Sequence, residues 1–248
     1  MKTAIGIDIG GSHIKGALVD LKEGRLLTKR TRMDTPHPAT PDAVVEVCKE
    51  VVNSLPESDL VGVGFPGVVS GGKVFTAQNL DKRWIGFPLE GKLKHELGLH
   101  VRTINDADAA GVAEVLKGAG HKIEGTVIVL TIGTGVGSAF FTNGSLVANT
   151  ELGRMLLKRG LEVEAYGSDR IREKEGLSLE EWADRLQEIL TEIERVFWPS
   201  MIIIGGGGAK DFSEVQDRFQ TEATLCHAEH KNKAGIIGAA LWAAKNGC

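Results

Sequence analysis

The chain has 248 residues, 42% of them hydrophobic and 25% charged, which is typical of a globular protein that buries a sizeable core in one elaborate domain or two packed lobes. Its formal net charge of -4 argues against nucleic acid or an anionic membrane surface as the main partner. The three cysteines, Cys48, Cys226 and Cys248, lie far apart, which predicts a reducing cytoplasm and offers no zinc-binding spacing. The first apolar run is too short for a signal peptide or a spanning helix, so no membrane association is expected.

The first predicted elements form a β-meander. Apolar runs predict strands at residues 3–9 and 13–20, joined at Gly10-Gly11, before a turn into a third strand. A proline-rich loop then precedes a helix that starts near Asp42 and continues to Leu55. The next predicted elements, in chain order, are a buried strand at 60–65, a strand at 101–104, a helix at 107–116 and a strand at 126–132.

The opening pattern of strand, glycine turn and strand recurs about half a chain later. Ile9-Gly10-Gly11-Ser12 is echoed by Ile132-Gly133-Thr134-Gly135. Such a repeat predicts a duplicated α/β unit whose two glycine turns face each other across a cleft and hold one chain of phosphates. Backbone N–H groups converge on anionic oxygens only where side chains are absent, which is a physical reason for glycine at both turns. The alternative is that these glycines only make tight hairpins.

A third glycine-rich segment is MIIIGGGGAK, from Met201 to Lys210. It predicts a buried strand that opens into four glycines, with a helix beginning near Asp211. Gly206 and Gly207 would let a flat or anionic ligand approach the backbone closely, although a flexible connection is the alternative interpretation. The turn at 133–137 fits neither a dinucleotide fingerprint nor a Walker loop, because its glycines lead into a strand.

Two aspartates stand beside these patterns. Asp8 precedes the first glycine turn, where a carboxylate suits Mg²⁺. Asn105-Asp106 follows the strand at 101–104, at the carboxyl end where α/β sheets place their ligands. Asp106 is either a helix N-cap or a base that orients and deprotonates an attacking hydroxyl. A weak base suffices for phosphoryl transfer, because positioning and charge neutralisation dominate its loose transition state.

These segments together resemble the ROK family of sugar kinases, within the actin-like ATPase superfamily. The motifs are DIGGSHIKGALVD, GVGFPGVV, NDADAAGVAE, TIGTGVGS, the Glu151-Leu152-Gly153 triplet, GGGGAK and AGIIGAA. More narrowly, TPHPATPDAV, TAQNLDKRWIG and ILTEIERVFWP resemble the polyphosphate glucokinases. The resemblance implies an actin-like (ribonuclease H-like) duplicated α/β fold with two lobes around a cleft. The small lobe would hold residues 1–106 and the C-terminal helix at 234–248, and the larger lobe residues 107–233.

The family resemblance implies transfer of a phosphoryl group from polyphosphate, ATP or both to the 6-hydroxyl of glucose, in a homodimer that uses Mg²⁺. Asp106 would be the general base and Asp8 the residue that positions the metal. The residues implied for phosphate binding are Asp8, Gly10, Gly11, Ser12, Lys15, Thr134, Gly135, Gly206 and Gly207. Those implied for the sugar are Asn79, Asn105, Asp106, Glu151, Arg154 and Glu164, whose amides and carboxylates suit several hydroxyls. For Lys15, a solvated strand residue is the alternative interpretation.

Arg154 departs from the family pattern, which has histidine after this triplet. A guanidinium cannot ligate zinc, and the cysteine cluster of zinc-bearing members is missing, so no structural zinc is expected. The bulk and charge of Arg154 leave the sugar specificity open.

Several functions remain alternatives. One is a strictly ATP-dependent hexose or amino-sugar kinase of the same family. Another is a sugar-binding regulator, which would carry an N-terminal helix-turn-helix domain, and a third is a catalytically silent binding protein. The phosphoryl donor also stays open, because a polyphosphate track along Lys73, Lys82, Arg83, Lys92 and Lys94 competes with the ordinary interpretation of a solvated face.

Overall fold

A computed structural model describes residues 2–77 and 80–246, and the chain divides into two compact units. The first unit comprises Met1–Ala113 and Lys233–Cys248, and the second comprises Glu114–Asn232. The division falls inside the helix that begins at Asp106, the residue at which the sequence analysis ended the small lobe. Within the described ranges, no helix combines the length and the apolar character needed to cross a bilayer.

The elements up to residue 117 confirm the predicted meander and its continuation. They are β1 (Thr3–Ile9), β2 (His13–Asp20), β3 (Arg25–Leu26), β4 (Thr31–Asp34), α1 (Pro41–Asn53), β5 (Leu60–Phe65), β6 (Val69–Ser70), β7 (Lys73–Val74), α2 (Leu89–Leu97), β8 (His100–Asn105) and α3 (Asp106–Lys117). Helix α1 begins where Thr40 accepts a hydrogen bond from the N–H of Ala43, as an N-cap does. Strand β4 was not predicted, because its alternation of charged and apolar residues is short and carries no turn signal.

The remaining elements follow in chain order. They are β9 (Thr126–Ile132), β10 (Val136–Thr142), β11 (Ser145–Val147), α4 (Val163–Gly167), α5 (Asp169–Glu175), α6 (Leu179–Phe197), β12 (Met201–Gly205), α7 (Phe212–Val215), β13 (Thr224–His227) and α8 (Ala234–Asn246). Helix α6 begins at a capping box formed by Ser178 and Glu181. The helix expected near Asp211 begins at Phe212, after a short 3-10 turn.

The two units repeat one sheet topology. In the first unit the strand order is β3-β2-β1-β5-β8, with β4 also pairing β2, and in the second it is β11-β10-β9-β12-β13. In each case a central strand pairs antiparallel with the strand that follows it and parallel with a strand on its other side. The predicted duplication of an α/β unit is therefore confirmed, and each glycine turn joins the same pair of strands in its own unit.

Helix α8 packs on the sheet of the first unit through glycines. A Cβ atom on Gly6 of β1 would overlap the carbonyl of Ile236, and one on Gly62 of β5 would overlap the carbonyl of Ala239. The helix itself carries Gly238, whose missing side chain lets it lie against the backbone of α3. Backbone-to-backbone contact of this kind tolerates no side chain, so these glycines fix where α8 lies.

We expect Gly62→Ala to destabilise the first unit by about 1–3 kcal/mol, because the new methyl group must push α8 away from β5. Thermal unfolding followed by circular dichroism measures the change as a fall in Tm. Gly91→Ala is the matched control: Gly91 is exposed in α2, where a Cβ meets nothing within 4 Å. This control should gain up to about 1 kcal/mol from helix propensity. Equal Tm values for the two variants would contradict the packing argument.

Candidate functional site

Three parallel strands end at one edge of the sheet in the first unit. Strand β5 pairs in parallel with β1 on one side and with β8 on the other. Asp8 lies opposite Gly64, which in turn lies opposite Ile104, two residues before Asp106. Because neighbouring strands are about 4.8 Å apart, Asp8 and Asp106 belong to chain segments separated by roughly 10 Å at this edge. The fold thus gathers both predicted carboxylates at the carboxyl ends of the strands.

Asp8 lies between a lysine and the start of a helix. Its Oδ2 is 3.8 Å from Nζ of Lys15, and a Cβ on Gly235, in the first turn of α8, would lie 3.2 Å from its Cγ. Burial raises the pKa of Asp8, while the positive charges of Lys15 and Arg30 lower it. Its side chain keeps 24% of its surface exposed, so the carboxylate is poorly hydrated yet open to a ligand.

Hydrogen bonds from Thr35 hold the turn at Gly10, Gly11 and Ser12. The N–H of Gly10 donates to the carbonyl of His13, which closes the hairpin. Thr35, just after β4, donates from its hydroxyl to the carbonyl of Gly10 at 2.6 Å and from its N–H to that of Ser12 at 3.0 Å. Gly11 and Ser12 are exposed, and a Cβ on Gly11 would meet nothing within 4 Å. The turn is therefore held rigidly by its carbonyls while its tip faces solvent.

Asn105, and not only Asp106, forms the start of α3. Oδ1 of Asn105 accepts from the N–H of Asp108 at 2.9 Å, which is the N-cap pattern, and its Nδ2 donates to the carbonyl of Gly67 at 3.1 Å. Oδ1 of Asp106 accepts from the N–H of Ala107 at 2.8 Å. Since Asn105 supplies the cap, the sequence alternative in which Asp106 serves as the N-cap is not needed to explain the helix start.

The second unit brings its two glycine segments together. Strands β9 and β12 are parallel neighbours, so the turn after Ile132 and the segment after Gly205 leave the sheet at the same edge. Gly206 has φ 91°, a conformation that favours glycine, and a Cβ there would overlap the backbone of Ile132. The N–H groups of Asp169 and Arg170, at the start of α5, donate to the carbonyl of Gly133 at 3.0 and 3.4 Å. Thr134, Gly206 and Gly207 are exposed.

Three charged residues surround the turn at Gly135. Oε2 of Glu164 accepts from the N–H of Val136 at 3.1 Å, and a Cβ on Gly135 would collide with this carboxylate. Burial raises the pKa of Glu151; the positive charge of Arg154 lowers it and the negative charge of Glu164 raises it. Glu151, Arg154 and Glu164 are thus close enough to act on one another, beside the turn that includes Thr134 and Gly135.

Gly153, the last residue of the Glu151-Leu152-Gly153 triplet, determines where Glu151 and Arg154 lie. A Cβ on Gly153 would overlap the carbonyl of Val136, so the segment lies directly on the start of β10. The hydroxyl of Ser138 donates to the carbonyl of Thr150 at 2.6 Å and accepts from the N–H of Leu152 at 2.9 Å. Glu151 therefore lies between two backbone contacts; the residue as a whole is exposed, while its carboxyl is packed closely enough for burial to raise its pKa.

The donor set suits a magnesium ion that is carried by phosphates. Within residues 2–77 and 80–246, no three histidine, cysteine, aspartate or glutamate side chains cluster as a protein metal cage requires. Mg²⁺ is usually bound through one or two carboxylates together with substrate phosphates, and it keeps several waters. Asp8 fits that role, because its poorly hydrated carboxylate adjoins the exposed tip of the glycine turn.

The predicted site residues and the residues seen at the site do not fully coincide. Asn79, predicted to contact the sugar, falls outside the described residues. Thr35, Asp169 and Gly235 contact the candidate site residues, and none of the three was predicted from the sequence. Thr35 follows an unpredicted strand, and contacts such as those of Gly235 join positions far apart in sequence, so no local pattern points to them.

Comparison with known proteins gives consistent likenesses. Residues 4–159 match the ROK family. The chain is 42% identical over 237 residues to a polyphosphate glucokinase of Mycobacterium tuberculosis, covering 95% of this chain and 89% of that protein.

Two solved structures resemble the whole chain. An inorganic polyphosphate/ATP-glucomannokinase from Arthrobacter sp. strain KM superposes with a TM-score of 0.92 at 43% identity, covering 99% of each chain. A ROK family glucokinase from Streptomyces griseus, solved in complex with glucose and AMPPNP, gives a TM-score of 0.81 at 25% identity, covering 98% of this chain and 100% of the other. These likenesses confirm the predicted actin-like α/β fold with two lobes.

The raised pKa of Asp8 predicts that ionisation of this side chain lowers the stability of the folded protein as pH rises. As pH rises above the ordinary aspartate value of 3.8, the unfolded chain loses this proton first, whereas the folded protein holds it to a higher pH. The contribution of Asp8 to stability is therefore greatest at low pH and falls until the folded pKa is passed. Asparagine does not titrate, so we expect Asp8→Asn to raise the Tm of the ligand-free protein at about pH 8 and to remove this fall.

Thermal unfolding from about pH 4 to pH 8 measures both effects. Asp59→Asn, a change to an exposed aspartate just before β5, is the control and should leave the pH dependence of Tm unchanged. A lower Tm for Asp8→Asn at the upper end of this range would contradict the assignment of a destabilising charge.

Proposed function

Because the chain belongs to the ROK family, we propose that it is a sugar kinase that transfers a phosphoryl group from polyphosphate, ATP or both to the 6-hydroxyl of glucose. The likeness of nearly the whole chain to polyphosphate-using glucose kinases carries this proposal. The gathering of Asp8, Asp106 and a braced glycine turn at one sheet edge supports it.

In this proposal Asp106 is the general base. It accepts the proton of the glucose 6-hydroxyl as the new O–P bond forms and the bond from phosphorus to the donor oxygen breaks. Asp106 is partly exposed at the first turn of α3, where a sugar hydroxyl can reach it. Mg²⁺, held with the help of Asp8, would supply charge neutralisation for the phosphates, which dominates catalysis through a loose transition state.

The donor phosphates would be held by backbone groups of both units. In the first unit the phosphate-binding backbone groups belong to Gly10, Gly11 and Ser12, and Lys15 adds a positive charge. In the second unit they belong to Thr134 and Gly135 and to the exposed segment at 206–207. Short segments without bulky side chains let N–H groups approach anionic oxygens closely.

The sugar would be recognised by a mixed set of amides, carboxylates and one arginine. These residues are Asn79, Asn105, Asp106, Glu151, Arg154 and Glu164. The side-chain amide of Asn105 donates one hydrogen to the carbonyl of Gly67, and its second hydrogen can donate to a ligand. Glu164 spends one oxygen on the N–H of Val136, which leaves the other for Arg170, whose Nη2 is 3.9 Å away, or for a ligand.

The two units would act as the lobes of the enzyme, with α8 as part of the small lobe. The proposal also includes a homodimer that works in the cytoplasm. Both are expectations from the family.

The proposal is tested by supplying purified protein and Mg²⁺ with polyphosphate or ATP as donor and with glucose or mannose as acceptor. We expect glucose 6-phosphate to form, and Asp106→Asn to lower turnover with every active donor by about 10²-fold to 10⁴-fold. The amide keeps the shape of the side chain but cannot accept the proton. Phosphorylation with ATP alone would support a strictly ATP-dependent sugar kinase instead.

Asp42→Asn is the matched control for this experiment. It makes the same change in the first turn of α1, where Asp42 is exposed, and should leave turnover unchanged. Near-normal turnover of a folded Asp106→Asn protein that still binds glucose would overturn the assignment of the base.

A second test concerns the role of Arg154 in sugar binding. If its charge keeps Glu151 ionised for sugar binding, Arg154→Ala should raise the KM for glucose about tenfold, corresponding to roughly 1.4 kcal/mol. Since Arg154 lowers the pKa of Glu151, its removal should also shift the acidic limb of the kcat/KM profile to higher pH. The KM for the donor should change less.

Two further variants make this result interpretable. Lys158→Ala removes a nearby exposed cation whose Nζ is 2.9 Å from Glu192, and it should change neither KM nor the pH profile. An unchanged KM for Arg154→Ala together with an improved KM for Arg154→His would refute a contact between Arg154 and glucose and would strengthen the case that glucose is not the preferred sugar.

A further inference from the structure

A row of basic side chains runs across the sheet of the first unit, starting beside the glycine turn. Strand β2 places Lys15 directly opposite Asp8 of β1 on one side and Arg32 of β4 on the other. Side chains of directly opposed residues project from the same face of a sheet, and so do those two positions apart on one strand. Lys15, Arg32 and His13 therefore share the face that carries Asp8.

Side-chain contacts join two members of the row, Arg32 and His13. Nη2 of Arg32 contacts the ring of His13, whose Nε2 is 3.4 Å from Oδ1 of Asp34. Asp34 is 94% exposed, so solvent screens its charge. Arg32 is itself exposed on β4, which pairs only with β2 among the described strands and so lies at the sheet edge. The row begins at the turn and ends at a surface that solvent reaches.

The glycine turn is hydrogen-bonded to the residue that follows β4, the strand that carries Arg32. Thr35 continues directly from β4 and makes both hydrogen bonds that brace Gly10 and Ser12. Adjacent strands are about 4.8 Å apart, so the path from Asp8 over Lys15 to Arg32 spans roughly 10 Å, the width of several consecutive phosphoryl groups. A linear polyanion whose end is held at the turn can follow this path without a change in the backbone.

Three of the five basic residues proposed from the sequence already pair with a carboxylate. Nη2 of Arg83 is 2.8 Å from Asp81, Nζ of Lys92 is 3.1 Å from Glu96, and Nζ of Lys94 is 2.7 Å from Glu90. At these three positions a polyanion would have to compete with a carboxylate, as it would with Asp8 at Lys15, whereas Arg32 makes no ion pair with a carboxylate among the described residues.

We propose that Lys15, His13 and Arg32 form a subsite for the phosphoryl groups of linear polyphosphate that follow the transferred one, leading the chain from the glycine turn to the sheet edge at β4. This inference rests on the proposed function, because it assumes that the terminal phosphoryl group lies at the turn. ATP carries a nucleoside where polyphosphate carries further phosphoryl groups. Arg32, at the far end of the row, therefore serves polyphosphate and not ATP.

The test is Arg32→Gln, with Arg32→Lys and Arg83→Gln as companions. Arg32→Gln should raise the KM for long-chain polyphosphate by about fivefold to tenfold, because a charge-assisted contact is lost, with a smaller effect on tripolyphosphate and on ATP. Arg32→Lys keeps the charge and should recover most of the affinity. Arg83→Gln should behave as the unchanged protein.

Equilibrium binding of long-chain polyphosphate without sugar separates this inference from the proposed function. Weaker binding by Arg32→Gln, with a shallower dependence on salt, supports the subsite even if no sugar is phosphorylated. Unchanged binding and unchanged KM for polyphosphate, in a protein that does use polyphosphate, overturn the subsite and leave the kinase intact. A loss in Arg83→Gln without a loss in Arg32→Gln also overturns it.

Discussion

Close contact between backbones, with no side chain between them, is the constraint on which the first unit depends. Helix α8 returns from the end of the chain to lie on β1 and β5, and it can do so only because Gly6 and Gly62 leave its carbonyls room. The same helix touches α3 through Gly238 and Asp8 through Gly235. Its placement therefore sets the surroundings of both carboxylates proposed for catalysis, Asp8 directly and Asp106 through α3.

The second unit applies the same constraint to its turns. Gly206 lies against the backbone of Ile132, and Gly153 lies against the carbonyl of Val136. These contacts bring the triplet that contains Glu151 and the segment after β12 to the turn that follows β9. Repetition of one strand order in both units means that each glycine turn leaves its sheet at an equivalent place.

Charge is distributed differently around the two turns. Beside the first turn, Lys15 and Arg30 offset the cost of burying Asp8, and Arg32 extends the row of basic side chains to an edge strand. Beside the second turn, Glu151 and Glu164 raise the local negative charge, and Arg154 partly offsets it. Under the proposed function, the first arrangement attracts the phosphoryl donor, whereas the carboxylates of the second accept hydrogen bonds from sugar hydroxyls and leave its backbone groups for phosphate.

Residue patterns along the chain predicted the central strands and the repeat. Alternating apolar residues and glycine punctuation located β1, β2, β5 and β9 at the residues where they lie, because such patterns express backbone preferences of neighbouring residues. The motifs also identified the family. The fold brings Thr35 to the first turn, the side-chain amide of Asn105 to the carbonyl of Gly67, and Arg32 opposite Lys15. These contacts form between positions that fold brings together from distant parts of the chain, and local residue preferences carry no information about such pairing.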